Sequence, residues 1–344
     1  MAKVYFRRID SYRHTAEIAA AAPALLERVI SGEGIALAPA VPLKVHFGER
    51  GNQTYLRPEN LAGLVDWLRG RGIDSCFLET GAVYSGARMR AADHRALAAE
   101  HGFTALPVVI ADGERGEDFI EVAIQAKHFA TCKIARGIVA LPQMIVVSHF
   151  KGHALAGFGG ALKQLAMGCA ARGGKLAQHI DAKPFIIPFL CRRCGLCARQ
   201  CPADAIRVGG MLPKISHRRC IGCAACIAVC PHHAILVNLL RVNLADTFRE
   251  KLAEYALAAQ KQTRCLFVTF AFNLTDNCDC VGKPMTPIAR DLGVLASSDP
   301  VAIDQACLDL CDQAEGKQVF GGRHLLVYAE TLGLGSRRYD LVPA

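Results

Sequence analysis

The chain has 344 residues, 52% hydrophobic and 21% charged, a balance that excludes a disordered tail and predicts a folded protein of two or three domains. Its formal charge is +9, from 40 Lys and Arg against 31 Asp and Glu, and its 16 cysteines stand without an export signal, since the start MAKVYFRRIDSYRHT is polar and basic. No apolar run is long enough to span a bilayer, so the expectation is a cytoplasmic protein without membrane contact, where cysteine spacing points to metal or catalysis.

Residues 1–183 alternate short β-branched or aromatic runs with helix-length stretches: KVYF, then an alanine-rich 15–30; LKVHF, then PENLAGLVDWLRGRG; SCFLET, then AADHRALAAEHG; then PVVIADG. That alternation predicts α/β, with a mostly parallel sheet and flanking helices. Pro58 and Gly72 fit as start and stop signals of the second helix, whereas Pro23 lies awkwardly inside the first. Strands are expected through QMIVVSHF at 143–150, then a helix over GGALKQLAMGCAARGG.

Residues 184–238 are different. CRRCGLCARQC at 191–201 and CIGCAACIAVC at 220–230 are each followed by Pro, and the unit repeats with a period of 29 residues from Cys191 to Cys220. About 55 residues make too small a core to fold without staples, so bound metal is expected to hold the segment together. Residues 239–344 add a long helix, the strand CLFVTFAF, the turn TDNCDC, the helix DPVAIDQACLDLCDQA and HLLVYAET, read as a last strand. With so few strands of its own, 239–344 is expected to complete the sheet begun by 1–183, with the inserted ferredoxin-like α+β segment 184–238 between them.

The doubled spacing C-x2-C-x2-C-x3-C-P is the pattern of two-cluster bacterial ferredoxins, in which the fourth cysteine of each run serves the other cluster. By that rule one [4Fe-4S] cluster takes Cys191, Cys194, Cys197 and Cys230, and the other takes Cys220, Cys223, Cys226 and Cys201. Zinc needs paired cysteines and has no use for a third in each run. Gly195 and Gly222 fall where the loops must turn tightly. Two such clusters would lower the net charge to about +5, which weakens any nucleic-acid reading. Arg192, Arg193, Arg199, His217, Arg218 and Arg219 ring the clamps; they read as a solvated surface or as a docking face for an acidic redox partner protein.

The clamp segment resembles the two-cluster ferredoxin domain. The rest is similar to the DUF362 iron–sulfur centre proteins, through KVHFGERGN at 44–52, SHFKGHALAGFGGALKQLAMG at 148–168, TDNCDC at 275–280 and DPVAIDQA at 299–306. The resemblance implies the same architecture and names no reaction.

Within those stretches, His149 and His153 fall at a strand end, where open α/β sheets place ligands. Gly157, Gly159 and Gly160 open a helix whose amides would favour an anionic small molecule, with Lys163 one turn inside. A tight strand-to-helix turn is the bland reading of the same residues. Cys278 and Cys280, with Asp276 and Asp279, form a polar turn suited to an additional metal, to a redox pair, or to plain structural cysteines. Tyr84, Arg88 and His94 are candidates for the same sheet edge, Arg88 for a carboxylate or phosphate. Cys307 and Cys311, and the lone Cys76, Cys132, Cys169 and Cys265, read as core. No nucleotide-binding or hydrolase motif is present in the sequence.

Two functions remain. One is an electron-transfer protein relaying low-potential electrons through the clusters to a partner or to a ligand on the α/β domain, an oxidoreductase if that domain is catalytic at His149, His153, Lys163, Cys278 or Cys280. The other is a non-enzymatic ligand- or partner-binding protein whose clusters are structural or redox-sensing.

Overall fold

A computed structural model describes residues 1–84, 86–209 and 212–344. Five strands of the main sheet precede the clamp segment: β1 (Ala2–Arg8), β2 (Leu43–Lys44), β3 (Phe77–Glu79), β4 (Val108–Ile110) and β5 (Gln143–His149). Three follow it: β6 (Arg264–Ala271), β7 (Gly293–Ser297) and β8 (Tyr339–Pro343). All belong to one eight-stranded sheet, in the order β8-β1-β7-β6-β5-β2-β3-β4. Only β7 runs against its two neighbours; the other pairings are parallel. The fold is therefore α/β around a mostly parallel sheet, and both flanks of the clamp segment build it.

Strand β5 is buried along its whole length, as expected of a central strand covered on both faces. Ile145 and Val147 pack toward α1 (Thr15–Glu33), α2 (Ala62–Gly70) and α3 (Ala91–Glu100). Met144 and Val146 face the other layer, made of α4 (Ala161–Cys169), α6 (Ala245–Gln262), α7 (Pro300–Glu315) and α8 (His324–Thr331). No helix among the described residues is long and apolar enough to cross a membrane.

Three local expectations change. Helix α1 runs straight through Pro23. Pro23 cannot donate to the Ala19 carbonyl one turn back, and α2 crosses so closely there that a Cβ on Gly63 would lie 2.0 Å from that oxygen. HLLVYAET is helix α8, with Leu325, Leu326 and Ala329 buried on one helical face; the last strand is the half-exposed edge Tyr339–Pro343. The expected single helix after β5 begins later and is broken. A hairpin pairs Lys151–His153 with Gly157–Gly159 before α4 starts, and the chain breaks at Ala170 before α5 (Arg172–His179).

The segment 184–238 folds as two small antiparallel pairs, Phe185–Ile186 with Ile235–Leu236 and Ile206–Arg207 with Lys214–Ile215, and two one-turn helices, Leu196–Arg199 and Ala225–Ala228. Its core is four buried side chains, two of them cysteines: Cys197, Ile206, Cys226 and Ile235. The chain leaves and returns at one place, where Asn243 N donates to His179 O at 2.8 Å and Asp181 N to Arg241 O at 2.9 Å.

Candidate functional site

The eight clamp cysteines are all free thiols, and they sort into two groups of four. Cys191, Cys194, Cys197 and Cys230 line one cavity of about 340 Å³. Burial raises the Cys197 pKa, and nearby Cys191, Cys230 and Cys194 raise it further. Burial pushes Cys226 up to about 12, with Cys223, Cys220 and Cys201 adding to the effect, and Cys197 of the other group too. Each group thus takes its fourth member from the other run.

Backbone amides also point at sulfur: Arg193 N to Cys191 at 3.4 Å, Ala205 N to Cys201 at 3.3 Å and Ala234 N to Cys230 at 3.3 Å. Crowded, half-buried thiols resist ionisation when alone. A polynuclear iron core supplies the positive charge that such sulfurs lack, and amide-to-sulfur bonds are a recurring support of such cores. The donor set therefore fits iron–sulfur clusters.

The second clamp is pressed against the α/β body. Lys133 Nζ donates to Ile221 O at 2.9 Å, and a Cβ on Gly173, at the start of α5, would meet the same carbonyl at 2.4 Å. Arg172 opens α5 fully buried, close enough to Cys223 and Cys226 to feel their charge. Cys194 of the first clamp is exposed, as are Arg192, Arg193 and Arg199 in the same run and His217, Arg218 and Arg219 just before the second run.

Helix α5 leads from that contact to the sheet edge where β2, β3, β5 and β6 end. Two adjoining cavities lie there, with about 430 Å³ and 630 Å³ of empty space, and His46, Lys163, Gln164 and Cys280 line both. Three stretches that look unrelated in the sequence meet around the first. From TDNCDC come Cys278, Asp279 and Cys280, with Cys278 and Cys280 joined as a disulfide. From GERGN, Glu49 N donates to Asp279 O at 2.9 Å and Asn52 Nδ2 to Val281 O at 3.0 Å, gripping the turn. From SHFKGH come Lys151, ion-paired with Asp279, and His149, whose Nδ1 lies 2.9 Å from the same carboxylate. The two sulfurs are thus bonded to each other and are not a pair of thiolates.

His149 Nε2 faces the Phe272 carbonyl at 2.6 Å, so it carries the hydrogen, while Nδ1 sits 2.8 Å from Lys151 Nζ and 2.9 Å from Asp279 Oδ2. With both ring nitrogens engaged, His149 orients its neighbours and is not a free base. Burial alone would raise the Asp279 pKa, yet Lys151 and His149 hold it well below the usual carboxylate range.

His153 is also held, its Nδ1 accepting from Leu155 N at 3.2 Å and Ala156 N at 3.0 Å. Burial and Lys163 lower its pKa to about 2, so it is neutral and its other nitrogen is a hydrogen-bond donor on the second cavity. Burial, then Lys151, brings Lys163 down to about 7, and Lys163 makes no hydrogen bond or ion pair among the described residues. Burial brings Lys175 to about 8, with Nζ 2.6 Å from Thr80 Oγ1. Glu79 is buried 2.7 Å from Lys44 Nζ, which keeps its pKa low against the opposing effect of burial. Arg88 reaches this cavity through an ion pair with Glu49 at 2.9 Å, and Tyr84 lies beside it.

The glycines after His153 serve a different purpose from the one expected. The amides of Ala161 and Leu162, at the start of α4, donate to the Asp304 carboxyl group at 2.7 and 2.9 Å, so an internal side chain already occupies that helix end. Gly160 is needed because a Cβ there would lie 2.2 Å from Asp304 Oδ1. His94 is buried, edge-on to Phe47, and lines neither cavity. Cys76, Cys132, Cys169, Cys265, Cys307 and Cys311 remain thiols, all with pKa values raised by burial. The sequence reading passed over His46, Lys44, Lys151, Lys175 and Glu79. Lys44 carried a usable signal: a lysine inside the apolar strand PLKVHF.

Comparison with known proteins gives short and long matches. A stretch of 45 residues is 47% identical to one component of an ion-translocating oxidoreductase complex of Methanosarcina acetivorans, covering 13% of this chain and 17% of that one. Another of 55 residues is 42% identical to the ferredoxin-type protein NapF of Haemophilus influenzae, covering 14% and 31%. The chain thus spans less than a third of either relative. A solved Thermotoga maritima structure aligns over 88% of this chain and 59% of its own, with a TM-score of 0.45 and 10% identity. The family model described as a domain of unknown function, DUF362, matches residues 41–309, running through the clamps, the gripped turn and most of α7, and the chain belongs to that family.

Proposed function

We propose that this protein transfers electrons through two [4Fe-4S] clusters, from an acidic redox partner to an anionic small molecule bound at the sheet edge. One observation carries the reading: the second clamp rests on the start of α5, and the same helix presents Lys175 and His179 to the cleft. Cys191, Cys194, Cys197 and Cys230 would hold one cluster near the exposed basic ring; Cys220, Cys223, Cys226 and Cys201 would hold the other against the α/β body. Such clusters supply one electron at a time at low potential.

The chain's own groups do the rest. The exposed arginines attract an acidic donor. Lys163, Lys175 and Arg88 offer cationic contacts to the ligand, and His153 offers a neutral donor. Anaerobic reconstitution should load about eight irons and eight sulfides per chain, reducible and reoxidisable, with the electron paramagnetic signal of reduced four-iron clusters. A chain that takes up no iron, or clusters that low-potential donors cannot reduce, would overturn the proposal.

A further inference from the structure

Resting on that reading, we propose that the Cys278–Cys280 disulfide is the electron acceptor inside the cleft, collecting two single electrons from the clusters to become a dithiol facing the ligand. Among the described residues it is the one disulfide; the other fourteen cysteines are free. Core thiols such as Cys307 and Cys311 lie fully buried away from either cavity, whereas Cys278 lines the first cavity and Cys280 lines both.

Position connects the disulfide to the clamps. Helix α5 starts against the second clamp, where a Cβ on Gly173 would meet the Ile221 carbonyl at 2.4 Å, and reaches His179 in the cavity that Cys280 also lines. At ~1.5 Å per residue that helix spans only about 10 Å. The turn is also held independently of its sulfur bond, because Glu49 and Asn52 bind Asp279 and Val281 on either side of Cys280. The two sulfurs therefore stay side by side once the bond opens, ready to close again.

The step balances as follows. The Cys278–Cys280 sulfur–sulfur bond breaks; each sulfur takes one of two electrons, delivered in succession by a low-potential one-electron donor through the clusters, and one proton, giving two thiols. Lys163, which lines both cavities and exchanges its proton near pH 7, stands where it can pass protons in from solvent. The cleft then holds a two-electron reductant fed by one-electron carriers, so its ligand is an anion that takes electrons in pairs.

The test uses the full chain, reconstituted anaerobically and titrated with titanium(III) citrate, a one-electron reductant without thiols. Alkylation and peptide mass analysis follow each addition. The loaded wild-type chain should take up about four electrons, two for the clusters and two for the disulfide, and its 278–280 peptide should gain two alkyl groups. The C278S/C280S variant should take up about two electrons, and the 278–280 peptide of the iron-free chain should gain no alkyl groups on the same timescale. Reduced clusters beside an unlabelled peptide would overturn the inference and leave the electron-transfer reading standing. Equal electron uptake by wild type and variant, or labelling as fast without iron, would overturn it too. Failure to load iron removes the reading itself and this step with it.

Discussion

Asp304 Oδ1 accepts a hydrogen bond from the Ala161 amide at 2.7 Å, although the two residues are separated by the whole clamp segment. The contact ties α7 to the start of α4, the helix that carries Lys163. Replacing Asp304 with Ala should cost about 1–2 kcal/mol, as loss of a helix cap does, read as a lower urea midpoint at an unchanged slope. Burial pushes the Asp304 pKa up to about 7, against the pull of the two amides. Between pH 4 and 7 the folded chain thus keeps a proton that the unfolded chain has released. This contribution is fully present below about pH 4 and fades as pH rises toward 7. D304A should flatten that part of the stability–pH curve; an unchanged slope would contradict the assignment.

Asp279→Asn should be among the most damaging single changes in the site. It leaves Lys151 buried without its counter-charge, a loss of roughly 3–5 kcal/mol. The pair K151M/D279L, which removes both charges, should recover much of that loss. In the wild type Lys151 and His149 depress the Asp279 pKa, overcoming the upward push of burial. Its contribution is therefore complete above about pH 4 and is lost only as pH falls far below it. Denaturation curves for the three chains decide the matter: if D279N is as stable as wild type, the ion pair does not hold the turn.

The clamps were legible because their chemistry is local: three thiols within seven residues need no tertiary information. The parallel sheet was legible too, since β5 and β6 are buried on both faces and read as apolar runs. HLLVYAET misled because its β-branched and aromatic residues suit a strand, while its buried positions, Leu325, Leu326 and Ala329, follow a helical period visible only against α6 and α7. The Gly-rich turn pointed to an anionic ligand, but its amides are taken by the carboxyl group of Asp304, from 143 residues further along the chain. No local pattern could have paired GERGN with the CDC turn. Lys151 and Lys175 look like surface lysines until the fold buries the first and half-buries the second.

Anion binding in the cleft should strengthen as pH falls. Lys163 and Lys175 release protons near pH 7 and 8 in the folded chain because burial penalises their charge. The empty protein accordingly gains stability as pH rises from about 7 toward 10, where the unfolded lysines still hold protons. A bound anion reverses the preference by restoring the charge. Sulfate, whose own charge is constant over this range, should bind roughly tenfold more tightly at pH 6 than at pH 9, with proton uptake visible in calorimetry across buffers of different ionisation heat. K163M/K175M should bind weakly at both pH values; a variant that keeps the wild-type pH dependence would place the anion elsewhere.

The basic ring gives the last prediction, on rate. Arg192 lies exposed within the first clamp, whose Cys194 also reaches the surface, and Arg218 lies exposed two residues before the second. Long-range attraction of an acidic partner acts on encounter and is screened within about 10 Å at moderate salt. R192E/R218E should slow reduction of the clusters by an acidic ferredoxin about tenfold at low ionic strength. The gap to wild type should close as salt is raised, and reduction by small neutral donors should be unaffected. Stopped-flow measurement at several salt concentrations separates the outcomes. A deficit that persists at high salt would mean that the substitutions had damaged the clusters themselves, and an unchanged rate at low salt would move the docking face elsewhere.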